Sequence, residues 1–105
     1  MIVTFEKEYL QELYDTGNSG DKKHRFQPQI IRKYKACIDM LRGMARKETL
    51  FTVSSLNYEV LKGDKAGISS IRVNKQYRIE FTVTDNGTEP IISVCNILEL
   101  SNHYK

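Results

Sequence analysis

Leu61-Lys62-Gly63-Asp64-Lys65-Ala66-Gly67-Ile68-Ser69-Ser70-Ile71-Arg72-Val73-Asn74-Lys75-Gln76-Tyr77-Arg78-Ile79-Glu80-Phe81 is the stretch on which the fold turns. Its second half alternates apolar and polar residues about Asn74-Lys75-Gln76, the pattern of two antiparallel strands closed by a three-residue loop. That register sets Val73 against Tyr77, Arg72 against Arg78, Ile71 against Ile79 and Ser70 against Glu80. Successive strand side chains point to opposite faces. Ile71, Val73, Tyr77, Ile79, Phe81 and Val83 therefore form an apolar face that can pack on helices, and Ser70, Arg72, Arg78, Glu80 and Thr82 form the other. Two arginines directly opposite each other repel by a few tenths of a kcal/mol to about 1 kcal/mol. Either Glu80 screens them on a solvated face, or the face awaits an anion, and spacing alone leaves both readings open. On a solvated face Arg78 is expected to contribute little to stability.

Beyond the hairpin, Asp85-Asn86-Gly87-Thr88 carries the Asn-Gly turn signal, and Pro90 to Leu98 is a long strand rich in isoleucine and valine. Upstream, Asn57 to Leu61 leans to strand, and Leu50 to Val53 fits either a short helix or an extended link. A helix from Pro28 to about Ala45 places Ile30, Tyr34, Ile38, Leu41 and Ala45 on one stripe beside Cys37 and Met44, with Lys35, Asp39, Arg42 and Arg46 opposite. Thr16 to Asp21 is the strongest breaker cluster and predicts an exposed turn. Glu6 to Tyr14 reads as a helix with Tyr9, Leu10, Leu13 and Tyr14 on one face, after a first strand at Ile2 to Phe5. The expected fold is α+β: an N-terminal strand and two helices packed on one face of a four- to five-stranded, mainly antiparallel sheet.

With 105 residues the chain has the length of one domain, expected over residues 1–105. No apolar run reaches the length needed to span a bilayer, and the N-terminus lacks the pattern of a signal peptide, so the expected location is the cytoplasm. Cys37 and Cys95, flanked by apolar residues, are read as buried packing residues rather than a disulfide framework or metal ligands. Two well-separated histidines complete no metal site. Net charge is +3, from 16 basic and 13 acidic residues, but the excess is regional. Lys22, Lys23, Arg25, Arg32, Lys33, Lys35, Arg42, Arg46 and Lys47 face a single acid, Asp39, across that span. Such a surface suits a polyanion, although a basic helix face is also commonly just solvated. His24, among these cations, is read as a surface residue.

The element order, Leu61-Lys62-Gly63-Asp64, Ser70-Ile71-Arg72-Val73, Tyr77-Arg78-Ile79-Glu80-Phe81 and a histidine-containing tail together resemble the RelE/ParE superfamily of bacterial toxins, in particular its HigB branch, the plasmid-maintenance killer proteins. The resemblance covers nearly the whole chain. It implies the toxin of a type II toxin–antitoxin system, an endoribonuclease that cuts mRNA on the translating ribosome without metal or other cofactor. It also implies restraint by a cognate helix-turn-helix, HigA-like antitoxin.

Carried over residue by residue, Arg78 matches the family arginine that sits against the scissile phosphate, where a guanidinium can grip two oxygens. Lys62 matches the lysine of the Leu-Lys-Gly motif, which the resemblance makes a charge in the catalytic site. Lys65, Arg72 and Lys75 lack an equally firm counterpart and are taken as RNA-backbone contacts. Many HigB proteins carry histidine three residues before the motif lysine; here that position is Glu59, a carboxylate able to serve as general base but opposed in charge to RNA. The tail Ser101-Asn102-His103-Tyr104-Lys105 keeps a histidine and a tyrosine but lacks the family aspartate. The resemblance assigns His103 as general acid or base, with Tyr104 aiding proton transfer or stacking on a base. A ParE-like toxin acting on gyrase, and a non-catalytic RNA- or antitoxin-binding module, are the alternatives.

Overall fold

The computed structural model describes residues 1–102; His103, Tyr104 and Lys105 lie outside the described residues. Strand β1 (Ile2–Phe5) is followed by helices α1 (Glu8–Thr16) and α2 (Pro28–Gly43), then by β2 (Glu59–Val60), β3 (Ser69–Arg72), β4 (Tyr77–Asp85) and β5 (Ser93–Asn102). The five strands form one sheet in the order β1-β5-β4-β3-β2. β1 runs parallel to β5 and every other pairing is antiparallel. The α+β architecture is therefore the expected one.

Helix α1 stops where Gly17 takes a left-handed conformation (φ 76°) and donates its N–H to the Leu13 carbonyl. Pro28 opens α2, where its missing N–H is harmless. The helix ends at Gly43, two residues short of the expected Ala45, because the Met44 N–H turns back to the Leu41 carbonyl; Ala45 is exposed. Tyr9, Leu10 and Leu13 of α1 and Ile30, Tyr34, Cys37, Ile38 and Leu41 of α2 are buried in one core with Ile71, Ile79, Phe81, Cys95 and Ile97 of the sheet. The Tyr34 hydroxyl donates to the Leu10 carbonyl at 2.7 Å, tying the helices together. Between α2 and β2 lie two 3₁₀ turns, Lys47–Phe51 and Ser54–Leu56, with Leu50 and Leu56 buried; of Leu50 to Val53, which fits helix or link by sequence, the first two residues end the first turn and the rest join it to the second.

The β3–β4 hairpin has the expected register, with Arg72 opposite Arg78, Ile71 opposite Ile79 and Ser70 opposite Glu80. Asn74 closes the loop, its side-chain oxygen accepting from the Gln76 and Tyr77 N–H groups. Along β4 and β5 the pairing shifts after Glu80, which faces Glu99, so that Phe81 faces Ile97 and Leu98 is left over as a β-bulge. The bulge resets the alternation and lets Cys95, Ile97 and Leu100 all reach the core.

Candidate active site

The face of the sheet opposite the helices is not a solvated surface around the hairpin, which corrects the expectation for Arg78. Ser70, Arg78 and Glu80 are 1, 7 and 8 % exposed. The Arg78 side chain lies across β3 toward the β2 edge. Its Nε donates to Ser70 Oγ at 2.8 Å, and its Nη2 donates to the Ser70 carbonyl at 3.3 Å and to the carbonyl of Asn57. Among the described residues, Nη1 carries no hydrogen bond and no carboxylate pairs with this guanidinium. Glu80 forms no ion pair with either arginine: both its oxygens accept from Lys65 Nζ, at 2.9 and 3.1 Å.

Asn57 holds the second arginine as well. It ends the 3₁₀ turn Ser54–Leu56 in a left-handed conformation (φ 45°, ψ 54°), which asparagine tolerates better than most residues. With its amide oriented so that oxygen faces donor and nitrogen faces acceptor, the oxygen accepts from Arg72 Nη1 at 3.3 Å and the nitrogen donates to the Ser54 carbonyl at 3.2 Å. Arg72 Nε donates to the Asn74 carbonyl at 3.2 Å. Both arginines are thus held by neutral oxygens, and among the described residues no carboxylate forms an ion pair with either.

Glu59 stands opposite Ser70, in a row across the sheet that continues to Glu80 and Glu99. The Arg78 guanidinium bonds to the cross-strand partner of Glu59 and to Asn57, two residues before it, so the fold draws Arg78 and Glu59 to the same edge. Glu59 itself is exposed. Lys62 and Lys75 are exposed at the two ends of β3, Lys62 just before the 3₁₀ turn Gly63–Lys65 and Lys75 in the hairpin loop. The ammonium of Lys65 is engaged by Glu80 rather than standing alone. His103 and Tyr104 lie outside the described residues. Ser101 pairs with Arg78, so the described part of β5 ends about 5 Å from the Arg78 backbone, on the side of β4 away from the guanidinium, which reaches across β3.

The alternation and turn patterns do not single out Asn57; an asparagine closing Ser54-Ser55-Leu56 is the local signal for a left-handed residue there. His24 lies at the surface but is half-buried there: it stacks on Tyr9 with ring centroids 3.6 Å apart, and its Nδ1 lies 2.9 Å from Asp21 Oδ2. Burial pushes the Tyr9 phenol up to about 12, helped by the Glu99, Asp21 and Glu80 carboxylates and opposed by the Leu100 N–H it accepts at 3.3 Å. Among the described residues, no group of three or more His, Cys, Asp or Glu is placed to hold a metal ion, and no helix is long and apolar enough to cross a membrane.

A mixed five-stranded sheet with two helices on one face is the architecture of several solved bacterial toxins. A YoeB/ParE toxin from Agrobacterium tumefaciens matches 99 % of this chain over 100 % of its own length, with a TM-score of 0.58 at 18 % identity. A chain of the YoeB-YefM complex from Staphylococcus aureus matches with a TM-score of 0.58 at 23 % identity, over 99 % of this chain and 98 % of that one. These likenesses establish the fold. At the level of sequence, the family described as RelE-like toxin of type II toxin-antitoxin system HigB matches residues 3–92. Toxin HigB-1 of Vibrio cholerae serotype O1 is 31 % identical over 86 residues, which are 81 % of this chain and 86 % of that protein. The chain belongs to the HigB-like family of RelE-like toxins of type II toxin–antitoxin systems.

Proposed function

We propose that this toxin is a ribosome-dependent mRNA endonuclease, formed by one domain over residues 1–105, and that Arg78 holds the scissile phosphate. The observation that carries the reading is Arg78: the residue is 7 % exposed, and its guanidinium is satisfied among the described residues only by neutral oxygens. A buried charge without a counter-ion is costly, and an arriving phosphate supplies one. With Nε and Nη2 fixed, Nη1 is left to bind an oxygen whose charge grows in the transition state.

In the reaction a base removes the proton of the RNA 2′-hydroxyl and the 2′-oxygen attacks the adjacent phosphorus. The 5′-oxygen leaves with a proton from an acid, and a 2′,3′-cyclic phosphate remains on the upstream fragment. Glu59, at the edge the guanidinium reaches, is suited to be the base, with His103 as acid or base and Tyr104 assisting. Lys62 would supply a positive charge beside the active site, Lys75 and Arg72 would contact the RNA backbone, and Lys65 would do so while paired with Glu80. The expected partner is a helix-turn-helix, HigA-like antitoxin; the likeness to a toxin solved as the YoeB-YefM complex supports an antitoxin of some kind. Action on ribosomes places the protein in the cytoplasm.

The test is induction of the wild-type chain and of Arg78→Ala in a bacterial host without the antitoxin, following growth and mapping new mRNA 5′ ends. Growth arrest with cuts inside translated frames, both lost in the variant, is the expected result. Arrest without cuts would replace this reading by a gyrase-type target. Full activity in Arg78→Ala would remove Arg78 from the site.

A further inference from the structure

Three oxygens converge on the Arg78 guanidinium: Ser70 Oγ at 2.8 Å from Nε, the Ser70 carbonyl at 3.3 Å from Nη2, and the Asn57 carbonyl, also on Nη2. They come from two different strand regions. Ser70 lies within β3, whereas Asn57 precedes β2 and offers its carbonyl because its backbone is left-handed. In the amide orientation that suits its neighbours, the same asparagine also accepts from Arg72. An arginine side chain has several rotatable bonds, and on an open sheet face its planar fork would sample many orientations. Here the partners along one side of the fork leave a single nitrogen, Nη1, unengaged among the described residues.

We infer that Asn57 and Ser70 are positioning residues of the toxin: they form a preorganised cradle that turns Nη1 of Arg78 toward the phosphate, and Asn57 couples that orientation to Arg72. The inference rests on the reading of Arg78 above. Neither residue touches RNA in this scheme; both act through the arginine. The cradle is mostly main chain, so the backbone conformation at Asn57 matters as much as its side chain. Glycine accepts φ 45° without strain and keeps the carbonyl in place but drops the amide that holds Arg72. Alanine drops the amide and resists the left-handed conformation as well.

The experiment measures cleavage by the full-length toxin on ribosomes carrying a defined mRNA, for wild type, Asn57→Gly, Asn57→Ala, Ser70→Ala and Arg78→Ala, with melting temperature followed in parallel. At saturating ribosomes Asn57→Ala is expected to cut roughly 10²-fold more slowly, the scale of a misplaced catalytic group, while its KM stays close to that of wild type. Asn57→Gly should fall between the two. Ser70→Ala should also lose rate rather than affinity. Guanidinium ion added to Arg78→Ala should give a saturable rise in cleavage, because the cradle remains, and the rise should vanish in Arg78→Ala combined with Ser70→Ala.

Wild-type rates in both Asn57→Ala and Ser70→Ala, with Arg78→Ala inactive, would overturn the cradle and leave the role of Arg78 standing. Equal rescue with and without Ser70, or no rescue in either background, would overturn it too. A fully active Arg78→Ala would overturn the reading on which the cradle depends. Should Asn57→Ala not fold, Ser70→Ala and the rescue comparison decide.

Discussion

Strand β4 passes through two environments although its alternation never changes. From Tyr77 to Glu80 the residues facing away from the helices, Arg78 and Glu80, are 7 and 8 % exposed. Beyond the Leu98 bulge the corresponding residues, Thr82 and Thr84, are half-buried and exposed. Period-two patterning decides which way a side chain points; what waits for it there is decided by distant segments. In the first half Asn57 and Lys65 reach in to meet Arg78 and Glu80. In the second half Lys47 contacts only the strand's end, at Asp85.

Substitutions should separate the halves sharply. Arg78→Ala is expected to abolish toxicity, a loss on the order of 10²-fold or more in cleavage, as when a single preorganised donor is removed from an active site. Thr82→Ala, two residues along the same face, should leave cleavage unchanged; equal losses from both would dissolve the distinction. Next comes Lys65→Ala, which leaves the Glu80 carboxylate buried without its cation and should lower stability by about 1–2 kcal/mol in urea unfolding. Glu80→Gln should restore part of that loss in the double variant. Thr84→Ala should stay within about 0.5 kcal/mol of wild type.

The bulge itself can be probed from both sides through pH. Burial raises the Cys95 thiol and the Tyr9 phenol to about 12 each, so both groups stay neutral in the folded protein well after their unfolded counterparts have ionised. Their contribution to stability is complete at neutral pH and is lost as pH climbs from about 9 toward 12, because unfolding then releases protons. Urea midpoints should fall across that window, less steeply in Tyr9→Phe. At pH 8, a thiol reagent should label Cys95 only as fast as the protein opens. The smallest effect is expected at the far end of β4. There the Ser93 hydroxyl, aided by Lys47, holds the Asp85 carboxyl below the ordinary carboxylate range. Its stabilisation is present above that range and is lost on acidification through the lowered value, so Asp85→Asn should flatten the acid limb of the stability curve.

What could be read from the sequence divides along the same line. The β3–β4 register followed from alternation about Asn74, and the buried stripes of both helices followed from their spacing, because each is a local regularity. The cradle around Arg78 was not legible, since Asn57 is 21 residues away in sequence and contributes a carbonyl that every residue possesses. The Glu80–Lys65 pair was hidden for a related reason: the hairpin register places Glu80 beside the arginines, and only the turn at Gly63–Lys65 brings the competing ammonium. The parallel pairing of β1 with β5 and the leftover Leu98 depend on how the sheet closes, which no single strand encodes.

Two of the three oxygens around the central guanidinium belong to the main chain. A lineage can therefore exchange many neighbouring side chains and still inherit the grip, so long as the bend at Asn57 persists. Mutational drift would change the surrounding letters sooner than this geometry, and comparison of backbone traces should outlast comparison of letters as a guide to which descendants keep it.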